Sequence, residues 1–122
     1  MTDVAIVRVQ ALGVPEVDYP RAERLVSGNP RRETWTSFVG AEGEATVGIW
    51  TCQTGAWHIR FSAHKLEFFC IQQGRVRLHD SAGVTQDFGP GEAAVIPAGF
   101  VGTFEVLEPV RKYFVVLERA AQ

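Results

Sequence analysis

The chain has little of what most binding and catalytic chemistries are built from. Only three histidines and two cysteines occur in 122 residues. The cysteines, Cys52 and Cys70, lie far apart within apolar runs, which is neither a disulfide framework nor a clustered zinc pattern. Two buried, reduced thiols are expected. No apolar run approaches the ~20 residues of a membrane helix, so no membrane partner is expected. The segment MTDVAIVRVQ carries acid at Asp3 and has no signal-peptide core, and the expected location is cytoplasmic. Acidic and basic residues interleave around a net charge of −2, leaving no basic stripe of the kind a phosphate backbone requires. Nucleic acid is not an expected partner. P-loop, dinucleotide fingerprint, nucleophile elbow and Cys/His pair are all missing.

What the chain does have is alternation. In Trp57-His58-Ile59-Arg60-Phe61 apolar side chains take every second place, the period of a strand with one buried face. Arg75 to His79 repeats the pattern, Asp80-Ser81-Ala82-Gly83 supplies a hairpin turn, and Val84 to Phe88 returns. Gly89-Pro90-Gly91 and Pro97-Ala98-Gly99 bound a short apolar strand, Ala93 to Ile96. Phe100 to Leu107 and Val110 to Leu117 read as two strands around a turn at Glu108-Pro109. Upstream, Glu33 to Val39 and Ala45 to Cys52 flank the turn Gly40 to Gly43. About eight short strands at this spacing predict an all-β sandwich or barrel. Residues 1–30 read as an N-terminal arm and 31–122 as the barrel. Val4 to Val9 is a candidate edge strand, and at most one helical turn is expected, near Ala22 to Leu25.

Two glycine-framed stretches, GAWHIRFSAHKLEFFCIQQG (55–74) and GEAAVIPAGFVG (91–102), carry a resemblance. They resemble the two signature motifs of the cupin superfamily, G(X)5HXH(X)3,4E(X)6G and G(X)5PXG(X)2H(X)3N. Gly55, Glu67, Gly74, Gly91, Pro97 and Gly99 fall on the framework positions without gaps. Phe61 and Ala63 stand at the two histidine positions of the first motif. Gly102 and Val106 stand at the histidine and asparagine positions of the second. Phrases such as Gly48-Ile49-Trp50-Thr51-Cys52 and Val106 to Lys112 are similar to small cupins grouped with ureidoglycine aminohydrolases and ethanolamine-utilisation cupins. The resemblance spans roughly residues 25–118. It implies an antiparallel double-stranded β-helix, or jelly-roll barrel.

The departures from the motif have chemical consequences. A cupin metal site needs imidazoles and a carboxylate converging from the inner face. Phe61, Ala63 and Gly102 offer no side-chain donor, and one carboxylate does not hold a divalent ion tightly against water. No metal and no cofactor are expected. His64, three residues before Glu67, is by default a solvent-facing loop histidine, although it lies near enough to be a replacement ligand. Alternation turns His58 away from the interior, and His79, beside a hairpin turn, should be exposed.

Glu67, pointing inward among Phe61, Phe69, Trp57 and Phe104, demands a partner or a raised pKa. Arg60, Arg75 and Arg77 are candidates for that partner. The carboxylate is either structural or a ligand anchor, and both readings stand. Three functions follow: a metal-independent small-molecule-binding cupin, using Glu67, Phe61, Trp57, Phe69, Phe104 and His64; an aminohydrolase- or isomerase-type enzyme with a degenerate metal site; or a structural dimerisation module. The first is preferred, because a filled barrel has little use for an internal carboxylate. Sheet edges that need covering, and an arm able to be exchanged, predict a homodimer.

Overall fold

The computed structural model of the chain describes residues 3–120, and strand is their dominant regular structure, with only two single 3-10 turns besides. Nine strands follow in order: β1 (Glu16–Asp18), β2 (Leu25–Ser27), β3 (Arg32–Gly40), β4 (Ala45–Cys52), β5 (Gly55–Arg60), β6 (Lys65–Asp80), β7 (Thr85–Phe88), β8 (Ala93–Ile96) and β9 (Val101–Glu118). Single 3-10 turns occupy Ala22–Arg24 and Ala41–Gly43. All pairings are antiparallel. One ladder runs β1-β3-β4-β9-β5-β2, and β6 joins β9 to β7 and β8, curling the sheet into a barrel. No described helix is long and apolar enough to cross a membrane.

Most strand boundaries follow from the alternation, and Ala45–Cys52 and Ala93–Ile96 fall where it put them. The expected break at Glu108-Pro109 does not occur. Val101–Glu118 is one long strand that bends where it crosses β6. The ladder between β6 and β9 shifts register there, from Ile71↔Lys112 through Gln73↔Arg111 and Arg75↔Glu108 to Val76↔Val106. A proline is tolerated at such an irregularity because the missing N–H is not needed for a ladder bond. Gly74 makes the crossing possible. Its φ is +82°, and a Cβ there would stand 2.1 Å from the Pro109 carbonyl oxygen.

The bend gives β6 and β9 two halves each, and both contribute to a single core. Trp57, Phe69, Ile71, Val76, Phe104 and Val106 are its buried centre, each worth about 1.5–3 kcal/mol of burial. Residues 16–27 contribute two strands too short to show a period. The segment Val4 to Val9, a candidate edge strand from its sequence, forms no ladder. It lies outside the sheet with Val4 and Ile6 fully exposed. The arm is pinned further along, where the Gln10 amide donates to Ser37 Oγ (3.1 Å) and Trp35 Nε1–H to the Gly13 carbonyl (3.0 Å).

Candidate functional site

The inward parity of β9 after the bend is Val110, Lys112, Phe114 and Val116. Three are apolar, and Lys112 is carried inside with them, only 5% exposed. On β6 the inward set is Glu67, Phe69 and Ile71. The ladder pairs Glu67 with Val116, Phe69 with Phe114 and Ile71 with Lys112. Glu67 and Lys112 therefore start two inward rows apart, and the long lysine stem closes the gap. Its ammonium donates to Glu67 Oε2 at 2.6 Å.

The same ammonium lies 4.4 Å from the Trp50 ring centroid and 4.8 Å from each of Phe69 and Phe104. Three π-faces and one carboxylate thus replace its water. Desolvating two charges costs several kcal/mol, and a short charge-assisted bond plus ring quadrupoles offsets that cost. Among the described residues, no buried side-chain polar atom lacks a partner.

This pair forms one wall of a cavity of about 280 Å³, otherwise walled largely by Trp50, Trp57, Phe61 and Phe104. The rings pack at angles: Trp50 meets Phe104 edge-on at 5.7 Å, and Trp57 tilts against Phe104 at 5.3 Å. A second ion pair stands at the cavity's edge. Arg32 Nε and Nη2 donate to the two Asp18 oxygens at 2.8 and 2.7 Å, with the guanidinium 5.3 Å over Trp57. Lys65, also lining the cavity, sets its ammonium 4.7 Å over the Phe61 ring. Burial pushes the neighbouring Cys52 thiol up to about 12, against the opposing fields of Arg32 and Lys112.

Of the residues singled out from sequence, Glu67, Phe61, Trp57 and Phe104 line this cavity together. Phe69 is fully buried and backs the Lys112 ammonium. His64 is elsewhere, exposed, its backbone amide bonded to Ser62 Oγ and its carbonyl to the Arg119 amide. His58 is exposed as alternation predicts, within 3.1 Å of Thr103 Oγ1. His79, expected at the surface, is half-buried and sits 2.8 Å from Glu105. Cys52 is buried, whereas Cys70 is only half-buried.

None of the candidate arginines pairs with Glu67, and all three lie where alternation by default would put them, away from it. Arg77 is taken by Asp87 on β7 (2.7 Å), the guanidinium of Arg75 lies against Gly89, and Arg60 is exposed. Sequence reasoning missed Lys112 because the assumed turn at Pro109 hid its phase. The run Val110-x-Lys112-x-Phe114-x-Val116 was the signal.

The donor set does not fit a cupin metal. No group of three or more His, Cys, Asp or Glu converges among the described residues. The one motif carboxylate is already bound to an ammonium. Position 102 is closed as well as donorless, since a Cβ on Gly102 would stand 2.0 Å from the His79 carbonyl oxygen and 2.7 Å from the Phe100 ring. An imidazole could enter there only if β6 moved.

A curled antiparallel barrel with its site on the inner face of the motif strands defines a cupin. The chain belongs to the EutQ-like cupin family, whose sequence model matches residues 39–114. Solved structures agree on the fold. A protein of unknown function from Pseudomonas syringae pv. tomato superposes with a TM-score of 0.77 at 18% identity, covering 88% of this chain and 46% of its own. The present chain thus spans about half of that relative's length. EutQ from Clostridium difficile gives 0.63 at 20% identity, covering 84% of this chain and 81% of its own. A protein described as ethanolamine utilization protein Q from Salmonella typhimurium gives 0.64 at 13% identity, covering 87% and 97%. No curated protein matches the chain.

Proposed function

We propose that this cupin binds a small molecule in its barrel without a metal. The observation that carries the reading is the Lys112 ammonium, held at 2.6 Å by Glu67 beside an aromatic cavity. The inner face thus carries a lysine of its own. Glu67 Oε2 serves Lys112, leaving the other carboxylate oxygen as an acceptor for a ligand. Apolar walls with a few fixed polar groups are the usual composition of a small-molecule site.

Two measurements test the reading together. Elemental analysis should find far less than one transition metal per chain, and chelator should leave thermal stability unchanged. In ¹H–¹⁵N spectra, small aromatic probes should shift the Trp50 and Trp57 indole signals and spare Trp35, whose indole is bonded to the arm. About one manganese, iron, nickel or zinc per chain would contradict it.

We also propose that the protein is a homodimer. Supporting this is an apolar row across five strands, Phe38, Val47, Val115, Phe68 and Val95, paired neighbour to neighbour. Phe38, Phe68 and Val95 are 44%, 41% and 59% exposed. Five strands at about 4.8 Å spacing make a face about 24 Å wide. Leu117 and Tyr113 are also exposed beside it. In a two-fold dimer this face would meet its own copy. Light scattering should give the dimer mass, and deleting residues 1–10 should weaken the dimer if the arm is exchanged.

A further inference from the structure

Apart from Asp18, which is taken by Arg32, the charged side chains around the cavity mouth are basic. A second hollow, about 330 Å³, adjoins the cavity and shares Arg32, Trp57, Ile59, Phe61 and Lys65 with it. To Arg32 and Lys65 it adds Arg21, Arg24 and Arg60, and no carboxylate lines it. Five of the chain's twelve lysines and arginines thus gather at one opening, in a protein whose net charge is −2. Among the described residues, no carboxylate comes within 4.0 Å of the charged nitrogens of Arg21, Arg24, Arg60 or Lys65. With fourteen acidic side chains in the sequence, leaving these four cations without a counter-ion is costly in self-repulsion.

We infer that the ligand is a small organic anion, its carboxylate or phosphate held at this basic mouth and its apolar body in the aromatic cavity. The inference rests on the cavity being a binding site, as proposed above. The orientation follows from the floor. There the Lys112 charge is already matched by Glu67 at 2.6 Å, and a second anion would face that carboxylate. The mouth has the opposite character, with guanidinium groups that suit bidentate recognition of planar or tetrahedral oxyanions. Converging cations at a low-dielectric opening also steer anions inward, an effect that salt suppresses.

The test is a matched series of probes on the full chain: benzoate, phenyl phosphate, benzamide and benzylamine, followed through the Trp50 and Trp57 indole signals. The better of the two anions should bind about tenfold or more tightly than neutral benzamide, with benzylamine weakest. Which anion leads tells carboxylate from phosphate. The preference should shrink with added salt and in the double variant Arg24→Glu/Arg60→Glu, while benzamide binding and the Tm persist. Should that variant fold poorly, Arg24→Gln/Arg60→Gln with the same salt titration replaces it. Benzamide or benzylamine binding as tightly as both anions, or a preference unchanged by the Arg24 and Arg60 substitutions, overturns the anion assignment and leaves the cavity reading standing. Silence of both indoles toward all four probes at millimolar concentration overturns both.

Discussion

β6 and β9 each fall into two halves, and one half inverts the usual placement of a single charge pair. Beyond the crossing at Gly74 and Pro109, the halves carrying Arg77, His79 and Glu105 pair these charges near the surface and bury Val76, Phe104 and Val106. In the other halves the charges Glu67 and Lys112 face inward, and the outward side chains Phe68, Val115 and Leu117 are apolar. The first arrangement is what water on the outside dictates. The second makes sense if something polar enters the barrel and something apolar covers its outer wall. One half of the same two strands is thus a scaffold with its charges outside, and the other carries a charged pair within.

The largest effect should come from unbalancing the inverted half. Lys112→Met leaves Glu67 among aromatic rings without its cation, and should lower the unfolding free energy by about 3–5 kcal/mol. Glu67→Leu/Lys112→Met should recover most of that loss, because an apolar pair of similar volume is often neutral. Urea melts of both variants measure this. Glu67→Gln keeps the shape and an acceptor oxygen, and should cost less than Lys112→Met.

On the outer wall, Phe68→Lys would put a charge on each side of the proposed two-fold interface. The dimer should weaken by about a hundredfold or more, roughly 2–3 kcal/mol, as read by sedimentation over a concentration series. Stability of the separated chain should change little, since Phe68 is already 41% exposed.

In the scaffold half, Gly102→Ala forces a methyl against the β6 backbone and should cost about 1–3 kcal/mol. Restoring histidines at 61, 63 and 102 together should therefore fail to build a metal site. Smaller still is the Arg77–Asp87 pair. Hydrogen bonds from Arg77 hold the Asp87 carboxyl below its ordinary value of 3.8. Its contribution is present above that value and is lost as pH falls through the depressed one, so Asp87→Asn should flatten only the acid edge of the stability profile. Salt should reduce the effect, because both groups are exposed to solvent. The thiols close the series. With its pKa pushed up to about 12, Cys52 should resist a disulfide reagent in the native state, leaving at most Cys70 to react, and both should react on unfolding.

The scaffold half is also the half that its sequence makes plain. Period-two alternation and glycine-framed turns locate β5, β7 and the Arg75–His79 part of β6 because one face meets water and the other a core, and each residue type follows its face. The inverted half has a charge on the inner side, and Glu67 stood out only because it falls on the motif's carboxylate position, while Lys112 has no such marker. A lysine in an apolar run looks like a solvent-facing residue until the strand's phase is known, and Pro109 disguised that phase. The basic mouth was equally hidden. Arg21 and Arg24 lie in a turn-rich arm, Arg32 opens β3 and Arg60 closes β5, and only the closing of the sheet brings them to one opening. Net charge and local patterning carry no trace of such convergence.

The central claim is that a lysine ammonium, fixed by Glu67 and three ring faces, is the cation inside this barrel. The most direct measurement is a ¹H–¹⁵N spectrum tuned to lysine ammonium groups in the native protein. One such signal should persist against solvent exchange, shift upfield from the ring currents of Trp50, Phe69 and Phe104, and vanish in Lys112→Met. A spectrum with no protected, upfield-shifted ammonium would contradict the account.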